Sequence, residues 1–182
     1  SSFSTGKSKL KLAIANKKNL IAIPELFRVI IAEREINIPQ ARSNIYLIED
    51  IQKETLIRQF NEERRNYELA KEEGKAGICA CRSIDSFSFA VKFCSQDFVH
   101  SATKEKWFLD YIEWLKKDSF HYLIKPEKSL LTDDGIRDTD WDLSMEVYGI
   151  AKSLLKIYGI RYVLLSEVDM AERIETVERT LR

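Results

Sequence analysis

The sequence predicts an α/β domain in which a mostly parallel sheet carries helices on both faces. Two short apolar runs, 20–23 and 76–81, have the continuous hydrophobic character of strands that are buried on both faces. Two more strands are predicted at 120–124 and 161–165, and amphipathic segments of helical periodicity separate all four. Alternation of this kind indicates parallel strands that are joined by helical crossovers.

The predicted elements follow one another without an internal repeat. The predicted helices are 9–18, 26–34, 45–73, 85–93, 103–117, 141–158 and 171–182. Residues 35–44 are predicted to form a loop that includes Pro39, and Asp85 or Ser86 is expected to cap the helix 85–93. The charged segment 132–142 is too poor in hydrophobic residues to form core, so it predicts either a solvated loop or a mobile lid.

Composition indicates a single domain of residues 1–182. Its 182 residues, 45% of them hydrophobic, suffice for a full core. Lys and Arg number 29, as do Asp and Glu, so nonspecific binding to nucleic acids or anionic membranes is not expected as the main task. No apolar run approaches the roughly 18 residues of a membrane span. Three cysteines are too few for a disulfide framework, and we expect a cytoplasmic protein.

The first eight residues carry the main functional motif. Residues 1–8 match the phosphate-loop pattern G-x-x-x-x-G-K-[ST] at Gly6, Lys7 and Ser8, with Ser1 in place of the first glycine. In such a loop the backbone N–H groups wrap a polyphosphate, the lysine reaches its outer phosphates and the serine hydroxyl binds Mg²⁺. A buried strand precedes a loop of this kind, so we expect that strand upstream of Ser1. A chance match in an ordinary turn is the alternative.

Polar residues recur where the predicted strands end. Glu25 follows the first strand, and Arg82 and Asp85 follow the second. Arg137 lies in the predicted lid. Because open α/β sheets bind ligands at the carboxyl ends of their strands, these positions favour a site that includes the Gly-Lys-Ser motif. His121 lies within a predicted strand, has no apparent catalytic partners and is expected to be structural.

Together these residues resemble the P-loop nucleoside and nucleotide kinases, and within them the small AAA-type ATPase domains similar to the ribosylnicotinamide kinase domain. The resemblance rests on residues 6–8, on 24–28 and 81–85 after two strands, and on 134–137 in the lid, in the family's order along nearly the whole chain. It implies a three-layer α/β/α P-loop NTPase fold with a five-stranded parallel sheet. The first, central strand of that sheet would lie before Ser1. The resemblance also implies ATP and Mg²⁺ as cofactors.

The resemblance implies a role for each residue of the motif. Thr5, Gly6, Lys7 and Ser8 would bind the nucleotide. Lys7 would hold the β- and γ-phosphates and take part in catalysis, and Ser8 would hold Mg²⁺.

Further catalytic roles are implied for residues outside the motif. Glu25 would activate the acceptor hydroxyl, and Arg82 matches an arginine of the family's Asp-Arg or Glu-Arg-Ser element. Arg137 would steady the charge on the transferring phosphoryl group. Gln59, on the long helix, falls where relatives often present a glutamine to the acceptor.

Two residues depart from the family pattern. Cys81 replaces the acidic residue that relatives use to position Mg²⁺, and a neutral thiol is a poor ligand for that cation. Asp85, one helical turn on, is expected to compensate as a metal ligand. Ser1 replaces a glycine, and serine tolerates a positive φ poorly.

The leading hypothesis is an ATP- and Mg²⁺-dependent phosphotransferase that acts on a small acceptor, such as a nucleoside, a nucleotide or nicotinamide riboside. Loss of the metal carboxylate supports a second hypothesis, an ATP-binding or degenerate module that regulates a partner without efficient phosphoryl transfer. The third hypothesis is an α/β scaffold whose Gly-Lys-Ser is accidental. The expected partners are a nucleotide and a small-molecule acceptor, and the oligomeric state is left open.

Overall fold

The computed structural model describes residues 6–80, 84–130 and 140–181, which form a mixed α/β domain that is mostly helical. The helices are α1 (Lys7–Lys18), α2 (Leu26–Glu33), α3 (Ile38–Arg42), α4 (Ile45–Glu72), α5 (Ile84–Phe93), α6 (Gln96–Ala102), α7 (Lys106–Asp118), α8 (Trp141–Ile157) and α9 (Met170–Thr180). The strands are β1 (Leu20–Ala22), β2 (Gly77–Cys79), β3 (His121–Ile124) and β4 (Tyr162–Leu165).

The four described strands form two separate parallel pairs. β1 pairs with β2, with Leu20 opposite Gly77, and β3 pairs with β4, with His121 opposite Tyr162. The four predicted strands and their parallel pairing are confirmed, although each is shorter than predicted. The residues of β1 and β2 are half-buried, whereas their sequence predicted burial on both faces.

Helices pack against both faces of the strands. Leu123 belongs to a core cluster that includes residues of α4, α5, α7 and α8. Its neighbours Tyr122 and Ile124 belong to a second cluster, with Leu10 of α1 and Val177 of α9. Because successive side chains of a strand point to opposite faces, the two clusters lie on opposite sides of β3. The prediction of helices on both faces is therefore confirmed for this part of the chain.

The segment between α2 and α4 is not the loop that the sequence predicted. Residues 38–42 form α3, and the Asn37 side chain caps it by accepting a hydrogen bond from the Gln40 N–H at 3.0 Å. Pro39 stands in the first turn of α3, where its missing N–H costs no helical hydrogen bond. The proline therefore starts a helix here instead of preventing one.

The start of α5 differs from the prediction, whereas α8 begins at Trp141, as predicted. α5 begins at Ile84, so Asp85 lies inside its first turn and neither Asp85 nor Ser86 is the cap. Asp140 caps α8, accepting hydrogen bonds from two backbone N–H groups of the first turn. Residues 140–142, predicted as the end of the lid, are thus the cap and first turn of α8. The rest of the predicted lid lies outside the described residues.

The centre of the larger core is aromatic. Phe108 of α7 is 1% exposed, and its ring centroid lies 4.7 Å from that of Phe87 and 5.6 Å from that of Tyr158. This packing joins α5, α7 and the end of α8, the layer of helices that covers one face of β3.

We expect Phe108→Ala to lower the free energy of unfolding by about 3–5 kcal/mol, because the change removes a buried ring and leaves a cavity. Leu109, its neighbour in the chain, is 51% exposed, and Leu109→Ala should change stability by no more than about 0.5 kcal/mol. Urea denaturation of both variants measures the difference. Equal losses in the two variants would contradict this assignment of the core.

Candidate functional site

A cleft of about 520 Å³ separates the two strand pairs. Its walls include every residue of β2 on one side and every residue of β3 on the other. Residues of α1, among them Lys7, line it on one face of the strands, and Glu63 of α4 and Trp114 of α7 line it on the other. No strand among the described residues pairs with β2 or β3 on the side that faces this cleft.

Backbone groups of both flanking strands are directed into the cleft. The Cys79 carbonyl accepts a hydrogen bond from Ile23 N–H beside β1, and Lys125 N–H donates to the Leu165 carbonyl beside β4. Backbone N–H and C=O groups point to alternate sides along a strand. The backbone groups of Ile78 and Ala80 therefore point away from β1. In the same way, the backbone groups of Tyr122 and Ile124 point away from β4. The cleft is therefore bounded by two strand edges that carry hydrogen-bonding groups.

The Gly-Lys-Ser motif forms the start of α1. Gly6 has φ +77° and ψ 8°, which is left-handed backbone that favours glycine, and it precedes the first helical residue, Lys7. Its carbonyl accepts the first hydrogen bond of the helix, from Leu10 N–H at 3.0 Å. α1 has no side-chain cap at this end. The first turn of a helix carries backbone N–H groups and the positive end of the helix dipole, and both favour an anion at this end.

Two lysines of α1 are directed toward the cleft. Lys7 lines the cleft, as does Lys11, which is one turn further along the same helix. The Lys11 Nζ donates a hydrogen bond of 2.5 Å to the carbonyl of Ile23, the residue that follows β1. α1 is thereby tied to the carboxyl end of β1, and Ser8 is half-buried beside Lys7.

The structure does not bring Glu25 into the cleft. Glu25 follows β1, as the sequence predicted, and it precedes the first residue of α2. Its side chain is 10% exposed, and Oε2 lies 3.4 Å from Nε of Arg28. Glu25 is absent from the residues that line the cleft. Its carboxylate is therefore held at the exit of β1 by an arginine of its own helix.

Asp85 does line the cleft. It is 8% exposed in the first turn of α5, where a carboxylate interacts favourably with the helix dipole. Lys7 and Asp85 are thus the two predicted site residues that share this cavity. Thr5, Arg82 and Arg137, together with Cys81, lie outside the described residues.

A buried carboxyl group that the sequence reasoning missed lies in the same wall. Glu63 is 2% exposed, and its Oε2 accepts a hydrogen bond of 2.7 Å from the Tyr111 hydroxyl. Its other oxygen accepts one from the Gln59 amide. Burial raises the pKa of Glu63 to about 8, and the nearby charge of Asp85 adds to the increase, while the two hydrogen bonds oppose it. Burial therefore favours the protonated form of this carboxyl.

The spacing along α4 contains a signal that could have identified Glu63. The polar residues that α4 buries recur three or four positions apart, so they form one stripe of the helix: Gln52, Thr55, Gln59 and Glu63. The many Glu and Arg residues of this helix predict a solvated face, and Glu63 departs from that prediction because it is buried. Oε1 of Gln59 has no hydrogen-bond partner among the described residues.

His121 is the first residue of β3 and lines the cleft. Nε2 of its ring lies 3.1 Å from the carbonyl oxygen of Leu115. Burial lowers the pKa of the ring below its ordinary value, against the opposing effects of the Leu115 carbonyl and Asp85.

The described residues contain no group of three or more His, Cys, Asp or Glu side chains that could hold a metal ion. Ser8 and Asp85 offer a hydroxyl and a carboxylate, which are hard oxygen ligands of the type that Mg²⁺ prefers. Asp85 lines the cleft, whereas Ser8 is absent from its lining. Mg²⁺ usually keeps several waters and takes further ligands from substrate phosphates. None of the described helices is both long enough and apolar enough to cross a membrane.

Comparisons with protein-family models, with curated proteins and with solved structures give no match for this chain.

The buried Glu63 makes stability depend on pH. The folded protein keeps Glu63 protonated up to about pH 8, whereas the unfolded chain releases that proton near the ordinary value of 4.5. Between these values the folded state binds more protons, so its free energy of unfolding falls as pH rises. We expect Glu63→Gln to remove this pH dependence. Between about pH 4.5 and 8, the free energy of unfolding of wild type should therefore fall, relative to that of the variant, by on the order of a few kcal/mol.

Urea denaturation of wild type and Glu63→Gln at several pH values between about 4.5 and 8 measures this effect. Glu68→Gln is the matched control, because Glu68 lies on the same helix with its side chain exposed. A stability difference between wild type and Glu63→Gln that does not change with pH would contradict the buried, protonated carboxyl.

Proposed function

We propose that this chain is an ATP- and Mg²⁺-dependent phosphotransferase of the P-loop kinase type, acting on a small hydroxyl or phosphate acceptor. The observation that carries the proposal is the start of α1. Gly6 adopts left-handed backbone, α1 begins at Lys7, and Lys7 borders the cleft. A glycine turn, the start of a helix and a lysine are the elements that bind a polyphosphate in a phosphate loop.

We also propose the finer fold, a five-stranded sheet whose central strand is continuous with Ser1 and fills the cleft. The cleft supports this, because backbone groups of Ile78 and Tyr122 face it from opposite sides. A single extended strand there would satisfy both edges at once and join the two pairs into one sheet. It would lead directly into the loop before α1, as the phosphate-loop arrangement requires.

In the proposed reaction, different residues would bind the phosphates and the metal ion. Lys7 and the first N–H groups of α1 would hold the phosphates, and Ser8 with Asp85 would hold Mg²⁺. ATP would supply the phosphoryl group, and Mg²⁺ would neutralise the negative charge of its phosphates. Arg82 and Arg137 keep the roles that the family resemblance implies.

A cytoplasmic location belongs to the same proposal. Cys94 is a free, half-buried thiol, and burial raises its pKa to about 12. An unreactive thiol of this kind suits a reducing compartment.

The alternative is an ATP-binding module without efficient phosphoryl transfer. Glu25 favours it, because this proposed base lies against Arg28 and is absent from the cleft lining. Cys81 in place of a metal carboxylate points the same way. A single-turnover experiment with γ-labelled ATP and candidate acceptors separates the two, because only a kinase transfers the label.

The proposal predicts that Mg·ATP stabilises the protein through Lys7. At a hundredfold excess over Kd, nucleotide should add about 2.7 kcal/mol to the free energy of unfolding. Lys7→Ala should remove most of this gain. Lys9→Ala is the control, because Lys9 is exposed on the same helix turn and does not line the cleft. Thermal unfolding with and without Mg·ATP measures the gain, and equal gains in wild type and Lys7→Ala would refute the proposed nucleotide site.

A further inference from the structure

Arg173 is the only basic residue that is buried in the described part of the chain. It lies in the first turn of α9 and is 1% exposed. Its Nε donates a hydrogen bond of 2.6 Å to the carbonyl of Glu167, in the segment that connects β4 to α9. The sequence predicted a helix over this segment but indicated no role for Arg173.

The guanidinium of Arg173 lies beside the Gly-Lys-Ser motif. A Cβ placed on Gly6 would stand 3.5 Å from Nη1 of Arg173 and 3.0 Å from Cε of Met170. α1 and α9 pack together on the same face of the strands, with Leu10 and Val177 in one core cluster. Arg173 therefore links the residue that starts α1 to the connection that follows β4.

Burying the positive charge of Arg173 costs desolvation free energy, which an apolar side chain would not. Burial lowers the pKa of Arg173, and the negative charges of Glu167 and Glu127 oppose that shift. Those two carboxylates follow β4 and β3 respectively. A methionine could fill the same space without desolvating a cation. What only arginine adds is a rigid, planar set of donors and a fixed positive charge next to Gly6.

We propose that Arg173 is a positioning residue of the phosphate site. It fixes Gly6 and the first turn of α1 on the β4–α9 connection, and its charge raises the positive potential where phosphates bind. Since it is excluded from solvent, it acts through Gly6 and through its field and does not contact the ligand. This inference rests on the proposed function and extends it to a residue outside the motif.

The test measures binding of Mg·tripolyphosphate, which carries the phosphates without a nucleoside, by calorimetry at a temperature where every variant is folded. We expect Arg173→Met to weaken binding about tenfold or more, and Arg173→Lys, which keeps the charge and loses the planar donors, to weaken it less. Arg179→Met is the matched control, because Arg179 is exposed on the same helix. It should bind as wild type does.

A second control separates positioning from general packing. Val177 is 2% exposed on the same helix, so Val177→Ala should destabilise the protein and leave the dissociation constant unchanged. Hydrogen exchange at the Leu10 amide, which bonds to Gly6, adds a local measurement. Arg173→Lys should speed this exchange, whereas Arg179→Met should not.

Should Arg173→Met fail to fold, Arg173→Lys decides the matter. The inference is overturned if Arg173→Lys binds tripolyphosphate as wild type does, or if Val177→Ala weakens binding equally. Failure of the proposed function looks different, because wild type itself would then bind neither Mg·ATP nor Mg·tripolyphosphate.

Discussion

The constraint on which the structure depends is the hydrogen bonding of the two strand edges that border the cleft. β2 and β3 each use one edge to pair within the described residues, and each presents the other edge to the cleft. Backbone N–H and C=O groups that are removed from water without partners cost free energy. The central strand that we propose would supply partners to both edges. Helices of the two core clusters pack on the two faces of the strands that border the cleft.

The start of α1 lies at the same cleft. Lys11 ties α1 to the carboxyl end of β1, and Arg173 lies beside Gly6 from the side of β4. α1 is thus held from both strand pairs, with Lys7 on the cleft between them. This arrangement concentrates positive charge at the carboxyl end of the strands, where α/β folds bind ligands. Asp85 and Glu63 provide carboxyl oxygens on the opposite wall.

The sequence predicted the regular elements well, because strand and helix periodicity is local information. All four strands were located, and α4 was placed within one residue at its end. α3 was missed because Pro39 was taken as a sign of a loop, although proline is well suited to a first helical turn. The length of a helix, by contrast, says nothing about which neighbours cover it.

The misses at the site have one cause, which is that burial depends on distant parts of the chain. Glu63 is buried because Tyr111, 48 residues away, covers it and donates to it. Arg173 is buried because α9 packs on α1, at the other end of the sequence. Glu25 was placed correctly after a strand, but its sequence gave no sign that Arg28 would hold it outside the cleft. The Gly-Lys-Ser pattern identified Lys7, and the position after β2 identified Asp85, and the two residues share the cavity.

The most direct test of this account measures hydrogen exchange, by NMR, in a version of the chain that is extended upstream of Ser1. Four backbone amides face the cleft: those of Ile78, Ala80, Tyr122 and Ile124. Two amides serve as internal references, that of Cys79, which faces β1, and that of Leu123, which faces β4. If a central strand fills the cleft, the four cleft-facing amides exchange as slowly as the references. If they exchange much faster than the references in the folded, extended protein, the cleft is open and the five-stranded arrangement is wrong.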